Sequence, residues 1–357
     1  MKISDIDKNL AVETKLNLTD VHWFDSKSAP IEVCGLAVHE TGDRFRRMPQ
    51  EVADHTNDGV AYLNTNTAGG RIRFRTNSPY VAIKAVMPDN GTMPHITMTG
   101  QSGFDLYKSD DGKYQYAASY IPGGRNHGYE SCIWTDGKMH TYTINMPLYD
   151  PVEELFVGLA ESAELESPEA YCYERPVVYY GSSITQGGCA SRPGNAYQAM
   201  ISRKLNCDFI NLGFSGSGRG ETAVVEYMAS LNMLVFVSDY DHNAPDAEHL
   251  RNTHYRMYET IRAAHPDVPY IMVSKPDFHP GTADEERRQI IIDSFTRAKE
   301  SGDKNVYFVD GARIFDGEFS DSCTVDGCHP NDLGFYRMAI KIGEAVELAL
   351  KNSGLKK

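Results

Sequence analysis

The hydrophobic and polar positions of the chain follow two different periods, one in each half. From about residue 10 to 165, apolar and polar residues alternate in short runs such as 71–75 and 81–86. Asn, Gly, Asp and Pro separate these runs, as they do at 88–91 and 109–112. Alternation of period two with frequent turn residues predicts antiparallel strands, and we expect a β-sandwich, of jelly-roll type, in this half.

After Pro176, short apolar runs alternate with longer amphipathic stretches. The apolar runs predict strands at 177–180, 208–212, 233–237, 270–274 and 306–309. The amphipathic stretches predict helices near 194–205, 221–231, 246–264, 284–300 and 333–350. Such alternation favours a parallel sheet covered by helices on both faces. We therefore expect an all-β domain over residues 1–165 and an α/β domain over 175–357, joined by a surface connection rich in Glu, Ser and Pro.

Charge and hydropathy restrict the partners of the chain. Its 35 basic and 49 acidic residues give 357 residues a formal charge of −14. Such a surface repels nucleic acid and anionic lipid, and no basic stripe overrides it. No run of about 18 apolar residues exists that could span a membrane. We expect a neutral or weakly charged small-molecule substrate, and neither a nucleic-acid nor a membrane partner.

The N-terminus and the cysteines favour a cytoplasmic location. The first eight residues alternate charges where a signal peptide would carry its apolar stretch. Seven cysteines are scattered along the chain, an odd number that favours reduced thiols. Assembly into a homo-oligomer is left open by the sequence.

Two distant segments together predict a serine hydrolase. The uncharged run from Val177 to Tyr180 is followed by a Gly-Ser-Ser turn that ends at Ser183. A serine at the carboxyl end of a parallel strand lies where open α/β sheets bind their ligands. Far downstream, Asp326 precedes His329 by three residues, a spacing at which the carboxylate can orient an imidazole that takes the serine proton.

These segments resemble the first and last motif blocks of the SGNH (GDSL-type) hydrolases, and residues 211–216 and 238–243 resemble the two middle blocks. The resemblance covers about residues 175–350, with all four blocks in order. The first block reads Gly-Ser-Ser where the family usually has Gly-Asp-Ser, and Ser183 holds the family's serine position. The third block keeps only its asparagine, Asn243.

The resemblance implies a fold, a catalytic set and an oxyanion hole. The implied fold is a three-layer, flavodoxin-like α/β domain with a parallel sheet. The implied triad is Ser183, His329 and Asp326. The implied oxyanion donors are the amides of Ser183 and Gly216 together with the side chain of Asn243. Each well-aimed donor of this kind contributes about 2.7–4 kcal/mol of transition-state stabilisation.

The run Gly103-Phe104-Asp105-Leu106-Tyr107 resembles a motif found in β-domains that precede some SGNH esterases. A β-sandwich ahead of such a domain is similar to carbohydrate esterases, which implies an esterase that removes O-acetyl groups from acetylated oligosaccharides. Two alternatives stay open. One is a catalytically silent carbohydrate-binding protein. The other is a lipase or thioesterase, which would need an apolar groove or lid that no long apolar loop here provides.

The sequence gives little support for a metal or cofactor site. Asp239, Asp241, His242 and Asp246 could be drawn as a metal cluster, but no second His/Asp pair at ligand spacing accompanies them. The glycine-rich stretch 213–220 contains neither a G-x-G-x-x-G sequence nor a Walker lysine. No G-x-S-x-G elbow of a conventional α/β-hydrolase occurs. We expect neither a metal nor a cofactor.

Overall fold

A computed structural model describes residues 16–37, 44–88, 91–123 and 128–354 of the chain. Antiparallel sheets form before Glu166 and a parallel sheet forms after Tyr173, which confirms the change of period predicted from the sequence. Within the described residues, no helix is both long and apolar enough to cross a membrane. The seven cysteines all lie in these residues and form no disulfide.

Two antiparallel sheets form the predicted β-sandwich. The first has the order β1-β9-β4-β7, with strands Val21–Asp25, Glu154–Ala160, Tyr80–Val86 and Gly128–Trp134. The second has the order β10-β3-β8-β5-β6, with strands Leu165–Glu166, Arg71–Thr76, His140–Asn145, Phe104–Asp110 and Lys113–Tyr120, while β2 (Glu32–Cys34) also pairs with β3. The expectation of a jelly-roll type stays a prediction.

Alternating apolar residues fill the interior of the sandwich. The interior contains Ile72 and Phe74, two positions apart on β3, together with Ile83 of β4 and Val157 of β9, and all four are fully buried. Three short helices lie in its loops: α1 (Gln50–Asp54), α2 (Asp58–Leu63) and α3 (Met98–Gln101). The sequence predicts no helix here, because helices of one or two turns are too short to produce a recognisable helical period.

The parallel sheet has the order β12-β11-β13-β14-β15. Its strands are β11 (Tyr173–Gly181), β12 (Cys207–Gly213), β13 (Val235–Asp239), β14 (Tyr270–Val273) and β15 (Val306–Val309). The strand β11 begins before the predicted start at 177, and its register shifts between Tyr173 and Val177. Pro176 lies in this irregular part, where its missing N–H costs the ladder little.

Helices cover both faces of this sheet, as predicted. They are α4 (Ser183–Gln186), α5 (Tyr197–Leu205), α6 (Thr222–Ser230), α7 (Ala247–Ala264), α8 (Ala283–Glu300) and α9 (Asp332–Asn352). Helices α5 and α9 pack on one face through residues such as Ile201 and Met338. Helices α6, α7 and α8 pack on the other, through residues such as Val224 and Met257.

The chain order of the strands places β11 at the switch point of the sheet. Its neighbours are β12 on one side and β13 on the other, because the chain passes from β11 to β12 and then crosses over to the opposite side of β11. Open α/β sheets bind ligands in the crevice that forms at such a point, beyond the carboxyl ends of the strands. Ser183 follows the carboxyl end of β11, separated from Gly181 by Ser182 alone.

Asp105 and Tyr107, from the Gly-Phe-Asp-Leu-Tyr run, form hydrogen bonds between the sandwich and the α/β half. Arg192, in the loop after α4, donates to Asp105 Oδ2 and to the Tyr107 hydroxyl, each at 2.7 Å. The Gly194 N–H donates to the same carboxylate oxygen at 2.8 Å, and Asn145 donates to Oδ1 at 2.6 Å. Because Asp105 is fully buried, these bonds compensate a carboxylate that has lost its contact with water.

Candidate active site

A strand, a sharp turn and a short helix present Ser183. Ser182 caps α4, its Oγ accepting the Ile184 N–H at 3.1 Å, and Ser183 is the first residue of that helix. A Cβ at Gly181 would lie 2.0 Å from Thr185 Oγ1 and 2.2 Å from the Asp239 carbonyl oxygen. Only glycine therefore fits where the strand turns into the helix.

The structure brings Ser183, His329 and Asp326 together in one hydrogen-bonded series. Ser183 Oγ lies 2.9 Å from His329 Nε2. His329 Nδ1 lies 2.7 Å from Asp326 Oδ2. Both distances fit hydrogen bonds, and the order of the groups is that of a serine, its base and the carboxylate that orients the base. The arrangement can therefore move the proton of Ser183 Oγ onto the imidazole.

Asp326 also shapes the turn that carries His329. Its Oδ1 accepts the His329 N–H at 2.7 Å and the Cys328 N–H at 3.1 Å. Partial burial opposes ionisation of this carboxyl, but the hydrogen bonds from His329 and Cys328 outweigh burial and lower its pKa. A charged Asp326 keeps the proton of the imidazole on Nδ1 and leaves Nε2 free to accept one from Ser183.

Two backbone amides near Ser183 have no acceptor among the described residues. One is the N–H of Ser183 itself, which as the first helical residue has no intrahelical partner. The other is the N–H of Gly216, in the loop after β12, where φ is 64°. This left-handed conformation favours glycine. Both amides are those expected from the sequence to face an oxyanion.

The third expected donor is placed differently. Asn243 Nδ2 donates to the carbonyl oxygens of Phe214 at 2.9 Å and Gly218 at 3.1 Å. Asn243 therefore supports the loop that presents Gly216. The role of its side chain as an oxyanion donor, which the resemblance implies, stays a prediction.

Gln186 is a positioning residue that the sequence did not single out. Its Oε1 accepts the Ser215 N–H at 3.0 Å, which ties the loop of Gly216 to α4. Its Nε2 donates to Asn66 Oδ1 at 3.2 Å and to the Leu148 carbonyl at 3.1 Å, both in the N-terminal half. One buried side chain thus connects the serine helix, the glycine loop and the sandwich.

Two further residues reach the site from the N-terminal half. The Tyr149 hydroxyl donates to the Ser183 carbonyl oxygen at 3.1 Å. His95 is exposed, and its ring centroid lies 5.5 Å from that of His329. No local pattern marks either residue as functional, because each reaches the site only through the packing of the two halves.

Among the residues that the structure describes, two groups of side chains have the chemistry to hold a metal ion. His95, Cys189 and His329 form one group, and Asp239, Asp241 and His242 form the other. In the second group burial raises the pKa of Asp239 to about 7. Near neutral pH this buried carboxyl can therefore carry a proton, which removes its negative charge without a bound cation.

Dialysis against EDTA is expected to leave the hydrolytic rate unchanged. The series formed by Ser183, His329 and Asp326 supplies the nucleophile and its base from side chains alone. The measurement is the initial rate on p-nitrophenyl acetate before and after dialysis. A rate that falls and returns when a divalent cation is added back would instead assign a metal to Asp239, Asp241 and His242.

Comparison with known proteins finds two family profiles that match the chain. The profile of the GDSL-like lipase/acylhydrolase family matches residues 174–347. A second profile, that of the N-terminus of SGNH-hydrolase-type esterases, matches residues 21–165. Among curated proteins no match to the chain is found.

Several solved structures share the fold. A GDSL-like lipase from Bacteroides ovatus is 33% identical, with a TM-score of 0.83 over 93% of this chain and 98% of that one. The salicylyl-acyltransferase SsfX3 of a tetracycline biosynthetic pathway is 18% identical, with a TM-score of 0.79 over 94% and 99%. An acetyl xylan esterase from Butyrivibrio proteoclasticus is 12% identical, with a TM-score of 0.56 over 94% and 100%.

Proposed function

The chain belongs to the GDSL-like lipase/acylhydrolase family, and we propose that it is a serine esterase that removes O-acetyl groups from carbohydrates. The observation that supports this chemistry most is the hydrogen-bonded series of Ser183, His329 and Asp326. The proposal assigns residues 1–165 to a sandwich domain and residues 175–357 to the catalytic domain.

In the first half of the proposed reaction, Ser183 Oγ attacks the acetyl carbonyl carbon while its proton moves to His329 Nε2. Asp326 accepts the Nδ1–H bond and stabilises the imidazolium that forms. The carbonyl oxygen becomes an oxyanion within reach of the Ser183 and Gly216 amides. The C–O bond to the sugar then breaks, and the sugar hydroxyl leaves with the proton from Nε2.

In the second half, water replaces the sugar. His329 Nε2 takes one proton from the water as its oxygen attacks the acetyl-serine carbonyl. The second tetrahedral intermediate collapses, Ser183 Oγ recovers its proton from the imidazolium, and acetate leaves. One ester bond and one water are consumed, and no redox step is needed.

The surroundings of the serine support a small acyl group. Ser183 is only 7% exposed. Tyr149 binds its carbonyl, and a Cβ at Gly188 would lie 2.8 Å from the Tyr149 hydroxyl and 3.5 Å from His329 Cδ2. Close packing around the serine favours a short acyl group over a long one. The fold shared with an acetyl xylan esterase supports an acetylated carbohydrate as the substrate class. In a cytoplasm, imported oligosaccharides would be the substrates.

A series of p-nitrophenyl esters tests the acyl-group preference. We expect kcat/KM to be highest for the acetate and to fall steeply for the octanoate and the palmitate. A preference for the palmitate would favour a lipase. A purified, folded protein that hydrolyses none of the esters, yet binds acetylated oligosaccharides, would favour the silent carbohydrate-binding alternative.

The N-terminal domain is proposed to form one wall of the substrate groove, with His95 as its contact. Replacing His95 with alanine should lower kcat/KM on acetylated oligosaccharides about 5- to 30-fold, the effect of one or two lost hydrogen bonds. The rate on p-nitrophenyl acetate should change much less, because this ester has no sugar for His95 to bind. Both rates are measured on the same preparation.

His55→Ala is the matched control, because His55 is exposed and its ring contacts a carbonyl of its own short helix. Equal losses on both substrates, or no loss on either, would contradict the proposal that the N-terminal domain forms a wall of the substrate groove. Deleting the whole domain is a weaker test. Ala68, Leu148 and Tyr149 share one hydrophobic cluster with residues of the parallel sheet, and deletion would expose that cluster to water.

A further inference from the structure

A cavity lies between the sandwich and helix α5, at a place separate from the triad. Its lining includes two arginines, Arg71 and Arg203, together with Thr143, Tyr107, Tyr114 and Tyr171. The cavity admits a water-sized sphere, whose centre has a volume of about 10 Å³ in which to move. This is about the space that a single water or a monoatomic ion needs, and too little for a phosphate or a sugar. No Asp or Glu lines the cavity.

Two donors at the cavity have no partner among the described residues. One is Arg203 Nη1, from the last turn of α5, and the other is Thr143 Oγ1, from β8. Both atoms are buried, and Thr143 as a whole is only 5% exposed. Buried polar groups in folded proteins nearly always have a hydrogen-bond partner. Two buried donors without one at the same cavity therefore indicate that the cavity holds a bound molecule or ion.

Two tyrosine hydroxyls add to the surplus of donors. Tyr171 accepts a hydrogen bond from Arg71 Nε at 3.4 Å, and Tyr107 accepts one from Arg192 at 2.7 Å. Each hydroxyl keeps its own hydrogen, for which the structure shows no acceptor in the residues it describes. The third tyrosine of the lining differs, because Tyr114 donates to Asn206 Oδ1 at 2.9 Å.

Positive charge also exceeds negative charge at this junction. Arg71 forms an ion pair with Asp208, and Arg192 forms one with Asp105. Arg203 has no carboxylate within 4.0 Å among the described residues, and its guanidinium lies 4.2 Å from the centre of the Tyr107 ring. Burial lowers the pKa of this guanidinium. Arg203 as a whole is half-buried, so an anion at its buried Nη1 would balance the part of its charge that has lost contact with water.

Arg73 adds to the excess of positive charge at this junction. It is 2% exposed, and its guanidinium lies 3.8 Å from the centre of the Tyr171 ring. Its Nη2 donates to the Glu169 backbone carbonyl at 2.7 Å, and within the described ranges it too has no carboxylate partner. Two arginines without a carboxylate partner among the described residues thus lie beside a cavity to which Thr143 and Tyr171 contribute donors, in a protein whose formal charge is −14. Asn145 also lines the cavity, and its Nδ2 donates to Asp105.

We propose that this cavity binds a monovalent anion of chloride size, held by Arg203, Thr143 and the Tyr171 hydroxyl. An anion accepts from all of these donors and balances a positive charge, whereas a water would leave the charge unbalanced. The ion would bridge β8 of the sandwich and α5 of the α/β half, and so stabilise their packing.

Thermal unfolding of the full chain tests the proposal. The Tm is measured in increasing sodium chloride or sodium bromide, with sodium gluconate at the same ionic strength as the reference, because gluconate is too large for the cavity. Halide should raise the Tm by about 2–5 °C over gluconate and the rise should saturate, as expected when a ligand binds only the folded state. Arg203→Gln and Thr143→Val should each lose most of this difference.

Arg251→Gln is the matched control, since Arg251 forms an exposed ion pair with Glu286 and should keep the full halide effect. Equal Tm values in halide and gluconate, or an undiminished halide effect in Thr143→Val, would overturn the proposal. If Arg203→Gln does not fold, Thr143→Val decides, because it is nearly isosteric. Crystals grown in bromide give a second readout. An anomalous peak in the cavity supports the site, and a water there contradicts it.

Discussion

Replacing Ser183 with alanine is expected to lower kcat on p-nitrophenyl acetate by about 10⁴–10⁶-fold while the Tm changes little. The nucleophile and its base act as a unit, so His329→Ala should cause a loss of similar size. The reason is the 2.9 Å hydrogen bond between Ser183 Oγ and His329 Nε2, which prepares the proton transfer. Initial rates and a thermal unfolding curve for each variant are the measurements.

The neighbouring serine is the matched control. Ser182 Oγ accepts the Ile184 N–H and caps α4, so Ser182→Ala should cost about 1 kcal/mol of stability. Its activity should stay within a few-fold of the wild type, because this oxygen contacts no group of the triad. An inactive Ser182→Ala beside an active Ser183→Ala would show that the nucleophile has been assigned one residue too late.

Asp326→Asn is expected to lower kcat by about 10⁴-fold without disturbing the turn. Asparagine keeps an oxygen that can accept the N–H groups of Cys328 and His329, so the local backbone is preserved. Its amide then faces His329 Nδ1 with hydrogens in place of a lone pair. This favours the tautomer that carries its proton on Nε2, which cannot accept the proton of Ser183.

The comparison with Asp326→Ala sharpens this test. Alanine removes both the charge and the oxygen that orders the turn, so it should lower the Tm as well as kcat. Asp326→Asn should lower kcat alone. If Asp326→Asn keeps a rate within about tenfold of the wild type, the carboxylate only orders the turn, and the imidazole is oriented by another group.

Much of the fold follows from the two periods of the sequence. The strands of the parallel sheet and the longer helices around it lie close to their predicted positions, because each shows its own pattern. The four-residue helix α4, which begins at Ser183, was not predicted, because a single turn shows no period. The three short helices of the N-terminal half were not predicted, since one or two turns carry no period. The irregular start of β11 at Tyr173 escaped prediction because Pro176 reads as a strand boundary.

The site was predictable where its geometry is local. Asp326 and His329 lie three residues apart in one turn and Ser183 follows a strand end, and this spacing together with the resemblance to SGNH hydrolases indicates the three residues. The orientation of Asn243 depends on two backbone carbonyls of a separate loop, which no sequence pattern reports. The positions of His95 and Tyr149 beside the triad depend on how the two halves of the chain pack.

The most direct measurement is deacetylation of acetylated xylo-oligosaccharides, followed by mass spectrometry. The wild type is expected to convert them stepwise to products that have lost acetyl groups, each replaced by hydrogen, with release of acetate. Ser183→Ala at the same concentration should leave the substrates intact, and Ser182→Ala should act like the wild type. Intact substrates with the wild type, although it hydrolyses p-nitrophenyl acetate, would contradict the carbohydrate substrate. Equal deacetylation by Ser183→Ala would contradict the account of the site.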